Sequence, residues 1–195
     1  MSGEENLLYT IGHSNHSAES FLEVLRRYGI TTVVDIRSRA RSRTEPQFNH
    51  ERIGPVLIKA GFNYRFIDYH QDHFGLFHTE IHDRSEEEYY DNTLGGFPKE
   101  NELYSDNLPR SRSLRQLEPA VRDPFYERIM GRPWFQDGVQ KLLEMIRAGE
   151  RVALLCQCKE PEMCHGRNLV ARYVQRVEPD LPIGYIQYDG ELLGT

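Results

Sequence analysis

The chain has 195 residues and a mass of 22.9 kDa, enough for one domain of ordinary size and too few for two. With 38% hydrophobic and 28% charged residues it is neither collagen-like nor compositionally disordered, and its formal charge of -6 argues against a surface coated in positive potential for indiscriminate nucleic-acid binding. It has no run of 18 apolar residues, and residues 1–6 lack the apolar stretch of a secretory signal, so neither a membrane span nor secretion is expected.

In chain order, residues 7–11 form a short apolar and β-branched run ending at Gly12, a buried strand followed by a turn. Ser17 is placed to cap a helix in which Ala18, Phe21, Leu22, Val24, Leu25 and Tyr28 recur at three- and four-residue spacing, with Gly29 as its stop. Residues 30–36 make a second β-branched strand that runs into Arg37, Arg39, Arg41 and Arg43. Pro46 marks a loop; Ile53, Val56, Leu57 and Ala60 form a helical stripe ended by Gly61, and residues 62–67 read as a third strand. Across residues 70–132 apolar residues thin out without a sustained period, which predicts an insertion or lid. Regularity returns with a helix through Val139, Leu142, Leu143 and Ile146, a central strand at 151–156, a helix through Leu169, Val170, Tyr173, Val174 and Val177, and a last strand at 183–188.

Alternating β and α units of this length predict an α/β fold. We expect a single domain over residues 1–195, with a mostly parallel sheet, helices on both faces in a Rossmann-like three-layer arrangement, and an irregular or helical insertion over residues 70–132 within it. In open sheets of this kind ligands bind outside the carboxyl ends of the strands. That rule selects three segments: residues 12–15 after the first strand, 35–43 after the second and 156–167 after the late one.

The last of these is the richest in chemistry. Cys156, Cys158, Cys164 and His165 fall within ten residues between a strand end and a helix start, where unpaired N–H groups and the helix dipole favour a thiolate or an anion. Cys164 with His165 is a candidate catalytic pair. Three thiols and an imidazole are also zinc's preferred ligand types, so Cys156, Cys158 and Cys164 are candidate metal ligands, although the spacing is not that of a zinc finger or ribbon. The plain alternative is a set of small buried thiols. The odd number of cysteines gives no disulfide framework and fits a reducing, cytoplasmic setting. The Cys-x5-Arg loop of thiol phosphatases is absent, as are a Gly-x-Gly-x-x-Gly stretch and a P-loop.

Asp35 and Arg37 lie two residues apart at a strand end and so face the same way. The carboxylate could orient the guanidinium toward an anion or take a proton beside it. Of the 24 basic residues four are lysines and the rest arginines, so forks suited to phosphate and carboxylate predominate, with Arg43 and Arg167 further candidates. Ser14 and Asn15 offer a hydroxyl and an amide in the first loop. His70, His73, His78 and His82, interleaved with carboxylates, read as an exposed polar loop in preference to a second metal site.

Tyr-Thr-Ile-Gly-His-Ser-Asn at residues 9–15, Val-Val-Asp-Ile-Arg-Ser at 33–38, Ser42-Arg43 with Phe48-Asn49, and the segment from Leu155 and Cys156 to Pro161, Glu162, Cys164 and His165 together resemble the domain-of-unknown-function 488 family. Leu94-Gly95-Gly96 with Pro98 also resembles a stretch of that family. The resemblance implies an α/β domain without naming a reaction. Relatives commonly carry Glu at the place of Cys158 and Arg at that of Gly166, and the nearest guanidinium here is Arg167, one place later.

The leading expectation is therefore a crevice at the strand ends that binds a small anionic, phosphate-bearing molecule such as a nucleotide, with enzymatic action on that molecule left open by the sequence. In that picture Arg37 and Arg43 hold the anion, Ser14, Asn15 and Arg167 assist, and Asp35, Cys164 and His165 lie nearest the chemistry. Two alternatives stand beside it: a nucleic-acid binding module built on the loop at residues 37–43, and a zinc-stabilised domain built on residues 156–165.

Overall fold

The computed structural model describes residues 8–37, 42, 44–66, 119–131, 133–159, 162 and 164–193. The expected insertion at 70–132, with its histidines and Leu94-Gly95-Gly96, lies outside them up to residue 118, as do Arg39, Arg41 and Arg43.

Five strands form one parallel sheet: β1 (Leu8–Gly12), β2 (Thr32–Asp35), β3 (Asn63–Phe66), β4 (Val152–Cys156) and β5 (Ile183–Ile186), in the order β3-β2-β4-β1-β5. The fold is α/β, and the central position of β4 follows from its sequence. Val-Ala-Leu-Leu-Cys is apolar on both faces, as a strand covered on both sides must be, and all five residues are buried.

Side-chain alternation then divides the core. Leu8, Val34, Val152 and Leu154 face one layer of helices, while Tyr9, Ile11, Val33, Ala153 and Leu155 face the other. The second layer is built by α1 (Ala18–Arg27) and α2 (His50–Lys59), which press Phe21, Leu25, Ile53 and Leu57 onto the sheet. The first layer is built by α3 (Pro119–Met130), α4 (Pro133–Arg147), a six-residue π-helix (Gly166–Ala171) and α5 (Arg172–Val177). Tyr126 and Met130 of α3 belong to that core, and salt bridges from Arg172 to Asp123 and from Arg176 to Glu127 tie α3 to α5.

The ends of α1 obey the local signals. Ser17 has extended backbone and its Oγ accepts from the N–H of Ser20 at 3.1 Å, which satisfies one of the helix's orphan donors. Gly29, at φ 61°, turns the chain out of the helix beside Arg151, whose Nη1 would stand 2.9 Å from any added Cβ. Ser17→Ala is expected to cost about 1 kcal/mol, a fall of roughly 2–4 °C in Tm by calorimetry; no change would mean that water caps the helix equally well.

The topology fixes where a ligand can meet the sheet. The crossover from β1 to β2 passes β4 on one face, and that from β4 to β5 passes β1 on the other. The connections therefore diverge between the carboxyl ends of β1 and β4, the point at which open α/β sheets leave a crevice.

Candidate functional site

At that point β1 and β4 end in register, Gly12 opposite Cys156, and the N–H of His13 donates to the Cys156 carbonyl at 2.9 Å. The chain after β4 folds back over Gly12. A Cβ on Gly12 would lie 1.6 Å from the Cys158 carbonyl oxygen, so only glycine allows this approach. The fold-back carries the sulfur of Cys158 to 3.2 Å from that of Cys156.

The third thiol arrives from the following segment. Cys164 and His165 precede the π-helix, and the N–H of Asn168 donates to the Cys164 carbonyl at 2.8 Å while its side-chain amide donates to Glu162 O at 2.7 Å. A π-helix is rare and widens the backbone turn, and runs of this kind concentrate at functional sites. The result is three buried thiols, Cys156, Cys158 and Cys164, whose sulfurs all lie within 4.8 Å of one another. Hydrogen bonds from Cys158, Cys164 and His165 hold the Cys156 thiol well below its usual range, and the same coupling to Cys156 and Cys158 pushes Cys164 well above it. Burial disfavours a charged His165, but hydrogen bonds to Cys156 and Cys158 outweigh it and raise its pKa to about 9. Its ring also meets the edge of Tyr126, with centroids 6.0 Å apart.

On the other face of the same rim stands a buried ion pair. Arg37 Nε donates to Asp35 Oδ1 at 2.8 Å and its Nη2 to Asp35 Oδ2 at 2.5 Å; Nη2 also donates to the Phe48 carbonyl at 2.8 Å. The Arg37 N–H and the Tyr64 hydroxyl add 3.2 and 2.9 Å bonds to the same carboxylate. Burial of Arg37 opposes its charge, yet Asp35 raises its pKa; burial and then Asp35 push the Tyr64 phenol up. Strand parity places Asp35 under α1 and α2 and Cys156 under α3 to α5, so the two groups flank the sheet edge from opposite sides, close enough for the guanidinium and the thiol to interact electrostatically.

A family model for the domain of unknown function DUF488 matches residues 17–103 and 106–174, which include Asp35, Arg37, all three thiols and His165. The chain belongs to the DUF488 family. No curated protein and no solved structure matches it. Among the residues singled out from the sequence, this DUF488 fold brings together Cys156, Cys158, Cys164 and His165, with Asp35 and Arg37 across the rim. Ser14 and Asn15 sit exposed or half-exposed in the first loop, bonded to each other through Oγ and Oδ1 at 3.2 Å. Arg167 lies over the Tyr185 ring at 4.9 Å, on the sheet's β5 side. Arg43 lies outside the described residues. Gly166 packs against the Cys164 sulfur and Thr10, each 3.4 Å from where a Cβ would stand.

Sequence reasoning placed His13 in the selected segment 12–15 without giving it a role of its own, and did not single out Tyr64. His13 is 1% exposed, stacked on Phe48 with centroids 4.4 Å apart, and its pKa is lowered to about 4 by burial and then by Arg37. The signal for Tyr64 is its register: it pairs with Val33 on the neighbouring strand, two residues before Asp35. No helix of the described residues is long and apolar enough to cross a membrane.

Proposed function

We propose that this DUF488 protein carries a soft-metal centre of the zinc class, held by Cys156, Cys158 and Cys164 at the ligand-binding edge of the sheet. The observation that carries the reading is the convergence of three buried sulfurs within 4.8 Å of one another. Tetrahedral zinc bound to thiolates at about 2.3 Å separates neighbouring sulfurs by about 3.8 Å, so the arrangement needs little adjustment to accept the ion. A disulfide fits less well, because one bond would leave the third thiol buried without a partner of its kind, and no disulfide joins any two of the three.

Three thiolates leave a fourth position. His165, in hydrogen-bond contact with Cys156 and Cys158, is the residue nearest to filling it or to orienting what does. Three protein ligands with an open position, at a crevice between strand ends, is the pattern of a reactive centre more than of a purely structural one. The Arg37 charge, felt at both Cys156 and His13, favours a small anionic ligand beside the metal. Thiols kept free in this way suit a reducing, cytoplasmic setting.

The test is elemental analysis of full-length protein purified without added metal or chelator. About one zinc-class ion per chain is expected, falling at least about tenfold in Cys158→Ser, and cobalt substitution should give thiolate-to-cobalt absorption. Wild-type protein that stays metal-free after incubation with zinc overturns the reading.

A further inference from the structure

Cys156 is the last residue of β4, and the chain bends at Gln157, so that Cys158 brings its sulfur back to 3.2 Å from that of Cys156. Both ends of this short connection are anchored to β1. Cys156 pairs with Gly12, and the Cys158 carbonyl lies over Gly12, where an added Cβ would be 1.6 Å away. Cys164 is held separately, through its carbonyl to the Asn168 N–H at 2.8 Å. A disulfide needs its sulfurs at about 2.05 Å, so closing a Cys156–Cys158 bond takes a movement of about 1 Å, within the reach of side-chain rotation. Of the three cysteines Cys158 is the most exposed, at 8% against 5% for Cys164 and 3% for Cys156, and its neighbours Gln157 and Lys159 both face solvent. Hydrogen peroxide is scarcely larger than water, so Cys158 at the rim is the thiol it reaches first.

We propose that Cys156 and Cys158 form an oxidative modification site, at which a peroxide joins them in a disulfide and the metal is released. The Cys158 sulfur attacks one peroxide oxygen, the O–O bond breaks, and a sulfenic acid forms as the first water leaves. Cys156 then attacks the Cys158 sulfur, the S–O bond breaks, and the second water leaves. The two sulfurs lose two electrons and peroxide gains them; the two protons come from the thiols, or from solvent where a metal has already displaced them. Loss of two of the three sulfur ligands leaves Cys164 and His165, too few to hold a zinc-class ion. A dithiol reductant reverses the change by exchange and restores all three thiols. The disulfide needs no metal, whereas the release rests on the metal reading above.

The experiment treats the folded full chain with hydrogen peroxide, once after incubation with zinc and once after chelation, blocks the remaining thiols with N-ethylmaleimide and maps the tryptic peptides by mass. Cleavage after Arg151, Lys159 and Arg167 puts Cys156 and Cys158 in one peptide, 152–159, and Cys164 in another, 160–167, so the pairing is read directly. Peptide 152–159 should be two hydrogens lighter and unlabelled, and peptide 160–167 should carry one label. Bound zinc should fall at least about tenfold in step with the disulfide and return after dithiothreitol and fresh zinc. Cys164→Ser should close the same bond. A 152–159 peptide that keeps two labels or carries sulfinic acid, a cross-link between the two peptides, or zinc retained beside the closed disulfide overturns the proposal. A chain that closes the disulfide yet never takes up zinc overturns the metal reading and the release with it, and leaves the modification site standing.

Discussion

Gly12→Ala is expected to damage both the fold and the thiol cluster. The added methyl would sit 1.6 Å from the Cys158 carbonyl oxygen and 2.8 Å from its carbon, and both are backbone atoms that cannot swing aside as a side-chain tip can. Either β1 or the segment after β4 must retreat, yet Gly12 pairs with Cys156, and the next N–H, that of His13, bonds to the Cys156 carbonyl. The overpacking cost is about 3 kcal/mol or more, a fall of roughly 6–12 °C in Tm, and metal uptake should be lost in whatever protein folds. Gly61→Ala is the control. Gly61 has a positive φ of 91° with no non-neighbouring atom of the described residues within 4 Å of the added carbon, so it reads backbone strain alone at about 1 kcal/mol. If thermal melts place the two variants together, the approach of Cys158 to β1 is not what requires glycine at position 12.

The contrast between these glycines reflects what a sequence can and cannot convey. Stops at Gly29 and Gly61, the Ser17 cap and the five strands are local events, legible because periodicity and capping act over a few residues. The gathering of Cys156, Cys158 and Cys164 was legible for the same reason, since all three lie on one connection between a strand and a helix. The helix Pro119–Met130 was not. Pro124 interrupts it, and Tyr126 and Met130 reach the core without a clear apolar stripe around them. The π-helix was equally hidden, because Leu169, Val170 and Val174 give the same apolar stripe whether the turn carries α or π hydrogen bonds. Gly12 and His13 owe their roles to the partner strand: nothing near position 12 says that residue 158 will lie across it. Tyr64 and the Phe48 carbonyl likewise reach the Asp35–Arg37 pair from elements whose positions only the sheet order fixes.

That ion pair is the second place where one substitution should have a large effect. Asp35 is wholly buried and Arg37 is 6% exposed, so neither group has water to fall back on. Among the described residues, Arg37→Ala leaves the Asp35 carboxylate with the Tyr64 hydroxyl and one backbone N–H, and strips the Phe48 carbonyl of this donor. An uncompensated buried charge costs about 3–5 kcal/mol, so Tm should fall roughly 6–20 °C. Tyr64→Phe removes one hydrogen bond to the charged group and should cost less, about 1.5–3 kcal/mol. The informative variant is the double replacement Asp35→Leu with Arg37→Met. Removing both charges together spares the molecule an unpaired one, so the double variant should be more stable than Arg37→Ala alone. Because Arg37 also helps hold His13 neutral, second to burial, its loss should let His13 protonate at a higher pH even in the folded fraction. Denaturant titration of the four proteins separates the cases. A double variant no better than Arg37→Ala would mean that the pair acts through the shape it imposes on Phe48 and the β2 edge, and a single variant costing under about 1 kcal/mol would mean that water reaches Asp35 once the guanidinium is gone.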